Sequence, residues 1–160
     1  MTMPQQAPLS GDKKPTASST TTSKLKALIA DNFLAYYKAH TFHLNVTGPD
    51  FAQYHGLFEE VYDKLWEWHD TLSEQLRQGG DMYPFTLAAV AKMADLKDDA
   101  AGVTDCTKMI AATCSDLEEL LAEGEGVYAT ADPALETVIG DYCADVKKLC
   151  WKLSATLGKC

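Results

Sequence analysis

Apolar residues recur at the three- and four-residue spacing of amphipathic helices along most of this chain. The first such stretch runs from Leu25 to His43 and stops at Gly48-Pro49. The second follows Asp50 and Gln53, whose spacing resembles a capping box, and ends at Gly79-Gly80. The pattern therefore predicts two long helices joined by a very short loop.

Two further stretches follow after a long connection. One runs from Val103 to Leu121 and is predicted to end at Gly124, and the other begins at Asp132-Pro133 and extends to Leu157. The connection between helices two and three has room for a short extra helix from Pro84 to Met93. Four amphipathic helices with one long crossover among short loops are typical of an all-α, ferritin-like four-helix bundle.

The first residues of the chain differ in composition from the rest. Residues 1–23 are rich in Pro, Ser, Thr and Gln, so we expect a disordered tail there and the bundle domain over residues 24–160. The start of the chain lacks the features of a secretory signal, which favours a cytoplasmic location. Five cysteines, an odd number without a Cys-x-x-Cys motif, are expected to be free thiols in a reducing compartment. They are Cys106, Cys114, Cys143, Cys150 and Cys160.

The excess of acidic over basic residues indicates which kinds of ligand the surface favours. Among 160 residues, 23 acidic and 14 basic side chains give a net charge of −9, which disfavours a surface built to neutralise nucleic-acid phosphates and favours cations. No apolar run approaches the roughly 18 to 20 residues of a membrane-spanning helix, so we expect no membrane partner.

All four histidines lie between positions 40 and 69. Two of them, His43 at the end of helix one and His55 near the start of helix two, share this region with Glu59, Asp70 and Glu74. Imidazole and carboxylate ligands suit iron, manganese or zinc better than copper(I) or a sulfur cluster. Because the chain contains no Glu-x-x-His motif, the usual di-iron site inside a single bundle is not encoded.

The candidate ligands on helix two form two pairs. His55 and Glu59 are neighbours on one helical face, as are Asp70 and Glu74, but His55 and Asp70 are separated by about 22 Å at the usual helical rise. Two antiparallel copies of the helix can bring the pairs together, because His55 with Glu74 and Glu59 with Asp70 have the same sum of residue numbers. A two-fold dimer would then carry two metal sites between its chains.

Tyr62 and Trp66 lie in the same angular sector as these ligands, away from the core stripe, and flank the expected two-fold centre. Helix two is therefore predicted to have a second buried face. Two other interpretations stay open on spacing alone: the histidines are hydrogen-bonded core residues, or the chain is a helical interaction module whose second apolar face binds another protein.

These residues resemble the ferroxidase motif of the Dps family, the ferritin-like mini-ferritins of bacteria and archaea. The resemblance is greatest over residues 40–80 and continues into helix four. The residues that carry it are the stretch from His43 to Phe51 (HLNVTGPDF), then His55, Phe58-Glu59, Asp70, Glu74 and Trp151.

The resemblance implies a dodecameric shell with two-fold and three-fold interfaces that oxidises Fe(II), preferably with hydrogen peroxide rather than oxygen, and stores the ferric mineral. It implies that His43, His55 and Glu59 bind iron in one subunit, and that Asp70 and Glu74 come from its two-fold mate. Zinc is a candidate substitute metal. Family members more often have aspartate at the position of Glu59, and many have tryptophan at that of Leu44.

Two further properties follow from the resemblance. Acidic three-fold pores would admit cations, with Asp132, Glu136 and Asp141 as candidates, although acids at a helix start have the alternative role of stabilising that start. Non-specific DNA binding by a nucleoid or scaffold protein without ferroxidase activity is the alternative function. It would rest on Lys13, Lys14, Lys24 and Lys26.

Overall fold

The computed structural model describes residues 18–158, which form five helices and no strand. The expected all-α bundle of four long helices is confirmed, with a short helix in the crossover between the second and third of them. The helices are α1 (Ser19–Asn45), α2 (Phe51–Gln78), α3 (Leu87–Met93), α4 (Cys106–Tyr128) and α5 (Pro133–Thr156).

The four long helices pack as antiparallel neighbours. The start of α1 lies beside the end of α4, where Thr21 Oγ1 donates to the carbonyl of Thr130 at 2.7 Å. The middle of α2 lies beside α5, where Trp68 Nε1 donates to Asp145 Oδ2 at 3.0 Å. Short loops join α1 to α2 and α4 to α5, so the crossover that contains α3 makes the one long connection in the bundle.

The predicted apolar stripes form one core. Its members are excluded from solvent because each long helix turns a continuous apolar face toward the other three. The largest side chains that are fully buried are Leu28, Ile29, Phe58, Leu65, Leu72, Met109, Ile110, Leu117, Leu120, Ile139, Tyr142 and Leu153.

Helix α1 begins earlier than the sequence pattern indicated. Residues 19–23, which we assigned to a tail, form its first turn, and the Ser18 side chain accepts a hydrogen bond from the Thr21 amide. A serine and threonine run therefore serves here as a capped helix start rather than as a linker. The remainder of the predicted tail, residues 1–17, and the predicted thiol Cys160 lie outside the described residues.

Two local predictions were wrong. Gly124 does not end the third long helix, because α4 continues through it to Tyr128; a Cβ at this position would lie 2.7 Å from the Cys143 Sγ. Gly124 thus allows α4 and α5 to approach closely. Asp50 occupies the N-cap position of α2 but its side chain makes no capping hydrogen bond, so the expected capping box is absent.

The crossover is attached to the bundle by a buried lysine. Lys38 on α1 is 5% exposed, and its Nζ lies 2.8 Å from Asp99 Oδ1 in the crossover and 3.0 Å from Asp116 Oδ2 on α4. Burial raises the pKa of Asp116 to about 6, although the Lys38 ammonium opposes this shift. One ammonium group therefore connects three parts of the chain.

The four described cysteines are free thiols, as expected: Cys114 is buried, and Cys106, Cys143 and Cys150 are half-buried. Within residues 18–158, no helix combines the length and the apolar character needed to cross a membrane.

Candidate metal centre

The structure brings His43 and His55 into direct contact. His43 is in the last turn of α1 and His55 is in the second turn of α2, and the short loop between these helices folds one helix back on the other. The two imidazole rings are stacked with centroids 3.6 Å apart. Two of the five predicted site residues, His43 and His55, are therefore adjacent in the folded chain.

The two rings are held by a reciprocal pair of hydrogen bonds. The Nδ1 of His43 lies 2.9 Å from the backbone oxygen of His55, and the Nδ1 of His55 lies 2.9 Å from the backbone oxygen of His43. A carbonyl oxygen can only accept, so each Nδ1 carries a proton, and Nε2 is the ring nitrogen that can offer a lone pair to a metal. The pair is thereby oriented for metal binding through Nε2.

Aromatic rings surround this pair on one side of α2. The Tyr62 ring contacts the His43 ring edge to face at 5.1 Å, and the His40 ring lies 4.5 Å from Tyr62. Phe51 stacks on the other side of His55 at 4.8 Å. These contacts restrict the rotation of both histidines.

The three predicted carboxylates lie on the exposed surface of the same helix. Glu59 follows His55 by one helical turn, whereas Asp70 and Glu74 lie near the other end of α2, and all three are exposed. Since α2 is continuous from Phe51 to Gln78, Asp70 remains about 22 Å from His55 along its axis. Within the described part of the chain, no three His, Cys, Asp or Glu side chains converge on one point.

The middle of this α2 face is also open to solvent. Trp66, between the two groups of candidate ligands, is 52% exposed and packs against Tyr36 on α1 at 5.2 Å. A large aromatic side chain that is half exposed between two sets of candidate ligands is suited to contact with another protein surface. In the described chain, Glu59, Trp66 and Asp70 of this predicted second face are therefore exposed.

A buried contact between His69 and Tyr83 lies beside Asp70, and the sequence pattern gave no indication of it. His69 is 9% exposed, and its Nε2 lies 2.9 Å from the hydroxyl of Tyr83 in the crossover. Burial lowers the pKa of His69, which favours the neutral ring. This contact fixes the helical turn that carries Asp70, and no spacing signal in the sequence links Tyr83 to α2.

Comparison with known proteins identifies the family of this chain. The ferritin-like domain family matches residues 22–160. A protein of Brevibacillus brevis named DNA protection during starvation protein is 32% identical over 137 residues, which cover 83% of this chain and 91% of that protein. The chain belongs to the Dps family.

Solved structures share its architecture. The Dps protein from Bacillus brevis aligns with a TM-score of 0.80 and 30% identity over 86% of this chain and 94% of its own. Antigen TpF1 from Treponema pallidum aligns with a TM-score of 0.84 and 26% identity over 92% of this chain and 99% of its own. The ferritin-like architecture expected from the helix pattern is thus confirmed.

Proposed function

We propose that this Dps protein oxidises Fe(II) at sites shared between two chains and stores the ferric product. The observation that carries the proposal is the division of the ligand set: oriented imidazoles and Glu59 at one end of the exposed α2 face, and Asp70 and Glu74 at the other. Two α2 helices packed antiparallel about a two-fold axis join each imidazole end to the carboxylates of the other chain.

The ligand chemistry favours this reaction. Carboxylates stabilise Fe(III) over Fe(II), and two imidazoles with three carboxylates leave coordination positions open for water and the oxidant. Two ferrous ions supply the two electrons that, together with two protons from solvent, reduce one hydrogen peroxide to two waters, and both ions become ferric. Peroxide is the oxidant we propose, because this pairing avoids the one-electron step that releases hydroxyl radical.

The proposed assembly is a closed homododecamer whose interior holds the mineral. The exposed aromatic Trp66 and half-buried Tyr62 would lie at the centre of its two-fold contacts. For iron access we propose acidic pores at the three-fold axes lined by Glu136 and Asp141. Asp132 has a structural role, because its carboxylate accepts the amides of Ala134 and Leu135 at the start of α5.

A complementation experiment tests the shared site. The variants His55→Ala and Asp70→Ala are purified separately, and each is expected to lose peroxide-driven Fe(II) oxidation. When the two are unfolded, mixed and reassembled, a mixed dimer has one site with both defects and one intact site. Random mixing then restores about a quarter of the wild-type rate, since about half of the dimers are mixed.

A site built within one chain gives no recovery on mixing, because every chain then carries one defect in its own site. Glu67→Ala is the matched control, since Glu67 is an exposed acid of α2 that pairs with Lys64 rather than with the candidate ligands. It is expected to retain the wild-type rate. Assembly mass measured for every variant separates loss of chemistry from loss of the shell.

Two of the four lysines named for the alternative function, DNA binding, are Lys24 and Lys26; the other two, Lys13 and Lys14, lie outside the described residues. Lys24 Nζ donates to the Gly126 carbonyl at the end of α4 at 2.9 Å, and Lys26 pairs with Asp81 at 2.8 Å. These two cations are therefore already engaged within the chain. The suggested zinc substitution also gains no support from the described residues.

A further inference from the structure

A second set of acidic side chains lies inside the bundle, away from the proposed iron site. Asp31 on α1 is fully buried, and its Oδ1 accepts the backbone amides of Asp95 and Leu96 at 2.8 and 2.9 Å. Both amides belong to the segment that follows α3 in the crossover. Asp31 thus attaches this segment to α1 through two hydrogen bonds to one carboxylate oxygen.

The other oxygen of Asp31 has no conventional donor. Among the described residues, Asp31 Oδ2 and Glu123 Oε2 are both buried and have no hydrogen-bond donor if both groups are ionised. Glu123 projects from α4 within hydrogen-bonding reach of the Asp31 side chain. One proton held between these oxygens satisfies both of them, because a protonated carboxyl donates and a carboxylate accepts.

The surroundings determine which acid holds the proton. Two backbone amides donate to Asp31, whereas Glu123 receives no such donor at its buried oxygen. The other charged groups that act on Glu123 are acidic, namely Asp95 in the crossover and Glu119 on α4, and Tyr142 faces the pair from α5. Burial first, and then Asp31, raise the pKa of Glu123 to about 8.

We propose that Asp31 and Glu123 form a proton-dependent latch that closes the crossover segment at Asp95 and Leu96 onto α1 and α4. With one shared proton, the pair is hydrogen-bonded and the segment is closed. Loss of that proton leaves two negative charges side by side in a buried place. Glu123, the less buried of the two, then turns toward solvent, and the ionised Asp31 is left buried with no partner at Oδ2. Opening of the crossover segment relieves this cost because it lets water reach that oxygen.

The direction of the pH dependence follows from the pKa of Glu123. The folded chain retains this proton up to about pH 8, whereas an unfolded glutamate releases it near 4.5. The folded state therefore binds more protons between these values, and the free energy of unfolding falls as the pH rises from 4.5 to about 8. The latch is closed at acidic and neutral pH and opens in alkaline solution.

Hydrogen exchange measured by mass spectrometry on the assembled full chain tests the latch. Peptides that contain Asp95 and Leu96 are compared at about pH 6 and about pH 9.5, with protection corrected for intrinsic exchange. Wild type is expected to lose protection by about tenfold or more at the higher pH. Glu123→Gln is expected to keep it, because the amide donates to Asp31 without titrating. Equal losses in both proteins would overturn the proposal.

Two further measurements keep the test decisive. The amides of Ala134 and Leu135, which the exposed Asp132 caps, serve as the internal control and should keep constant corrected protection. Should Glu123→Gln fail to assemble, infrared spectroscopy of wild type at neutral pH replaces it. A protonated carboxyl band that disappears with a midpoint near pH 8 supports the latch, and a spectrum without that band contradicts it.

Discussion

Two sets of carboxylates in this chain differ in almost every physical respect. Asp70 and Glu74 of the candidate iron site are exposed on α2, and no other described side chain forms an ion pair with them. Asp31 and Asp116 are buried between α1 and α4, where backbone amides or the Lys38 ammonium hold them. The first set is available for an ion, and the second set holds the crossover in place.

The difference shows what the contacts of an acid within one chain indicate about its role. A buried acid needs a donor, so its contacts are formed in the folded subunit and contribute to its stability. An acid that binds iron must stay free until the metal and the second subunit arrive. In this protein the tightly held acids are therefore structural, and the loosely held acids are the candidates for chemistry.

The largest effect that separates the two sets is expected for Asp70→Asn. This change removes a negative ligand without altering shape, so peroxide-driven Fe(II) oxidation should fall by about tenfold to a hundredfold. The free energy of unfolding should change by less than about 0.5 kcal/mol, because the side chain is exposed. Stopped-flow oxidation and urea titration measure the two quantities. A matching loss of stability would contradict the separation.

Lys38→Met should produce the reverse result. It leaves the buried Asp116 without its ammonium partner, and we expect the free energy of unfolding to fall by about 3 to 5 kcal/mol. Lys64→Met, which breaks an exposed pair with Glu67, should cost less than about 1 kcal/mol. Iron oxidation by the folded fraction of either variant should match wild type, and a specific loss in Lys38→Met would assign this lysine to the chemistry.

The contrast between packed interior and open surface extends to two glycines of α4. Gly124→Ala places a Cβ 2.7 Å from Cys143 Sγ and should cost about 1 to 3 kcal/mol. Gly126→Ala meets no atom within 4 Å and should stabilise the helix by about 0.5 to 1 kcal/mol. Thermal unfolding compares them. Adding Cys143→Ala to the first variant should restore stability if the close contact is the cause.

The smallest effect is expected at the helix starts. Asp132→Ala removes a side chain that caps two amides of α5 and should cost about 1 kcal/mol. Asp50→Ala at the start of α2 should change stability by less than about 0.5 kcal/mol, since that side chain caps nothing. Denaturant titration of both variants measures the free energy of unfolding. It tests whether an aspartate at a helix start contributes to stability only when its side chain accepts a backbone amide.

Much of the fold could be predicted because its core is periodic. The stripes from Leu25, Phe58 and Ile139 specify which face of each long helix is buried, and those residues are in the core. The start of α1 was missed because Ser18 and the following threonines look like a linker. The end of α4 was missed because Gly124 is a signal for helix termination as well as for close packing.

Less of the site could be predicted. The sequence indicated that His43 ends one helix and that His55 lies near the start of the next. The crossed hydrogen bonds to backbone oxygens depend on the conformation of the loop between them, which the sequence does not show. The buried Asp31 and Glu123 gave no signal, since a charged residue on an apolar face has no partner visible in a single sequence. Long-range pairs of this kind are decided by tertiary packing.

The crossed hydrogen bonds of His43 and His55 also constrain how the molecule can change. Each ring is bonded to the backbone on the far side of the α1–α2 loop, so one added or deleted loop residue would misplace both imidazoles at once. The segment from His43 to His55 is consequently a self-contained hairpin that tolerates no change of length. Transplanted whole onto another pair of antiparallel helices, it would carry two prearranged imidazole rings with it.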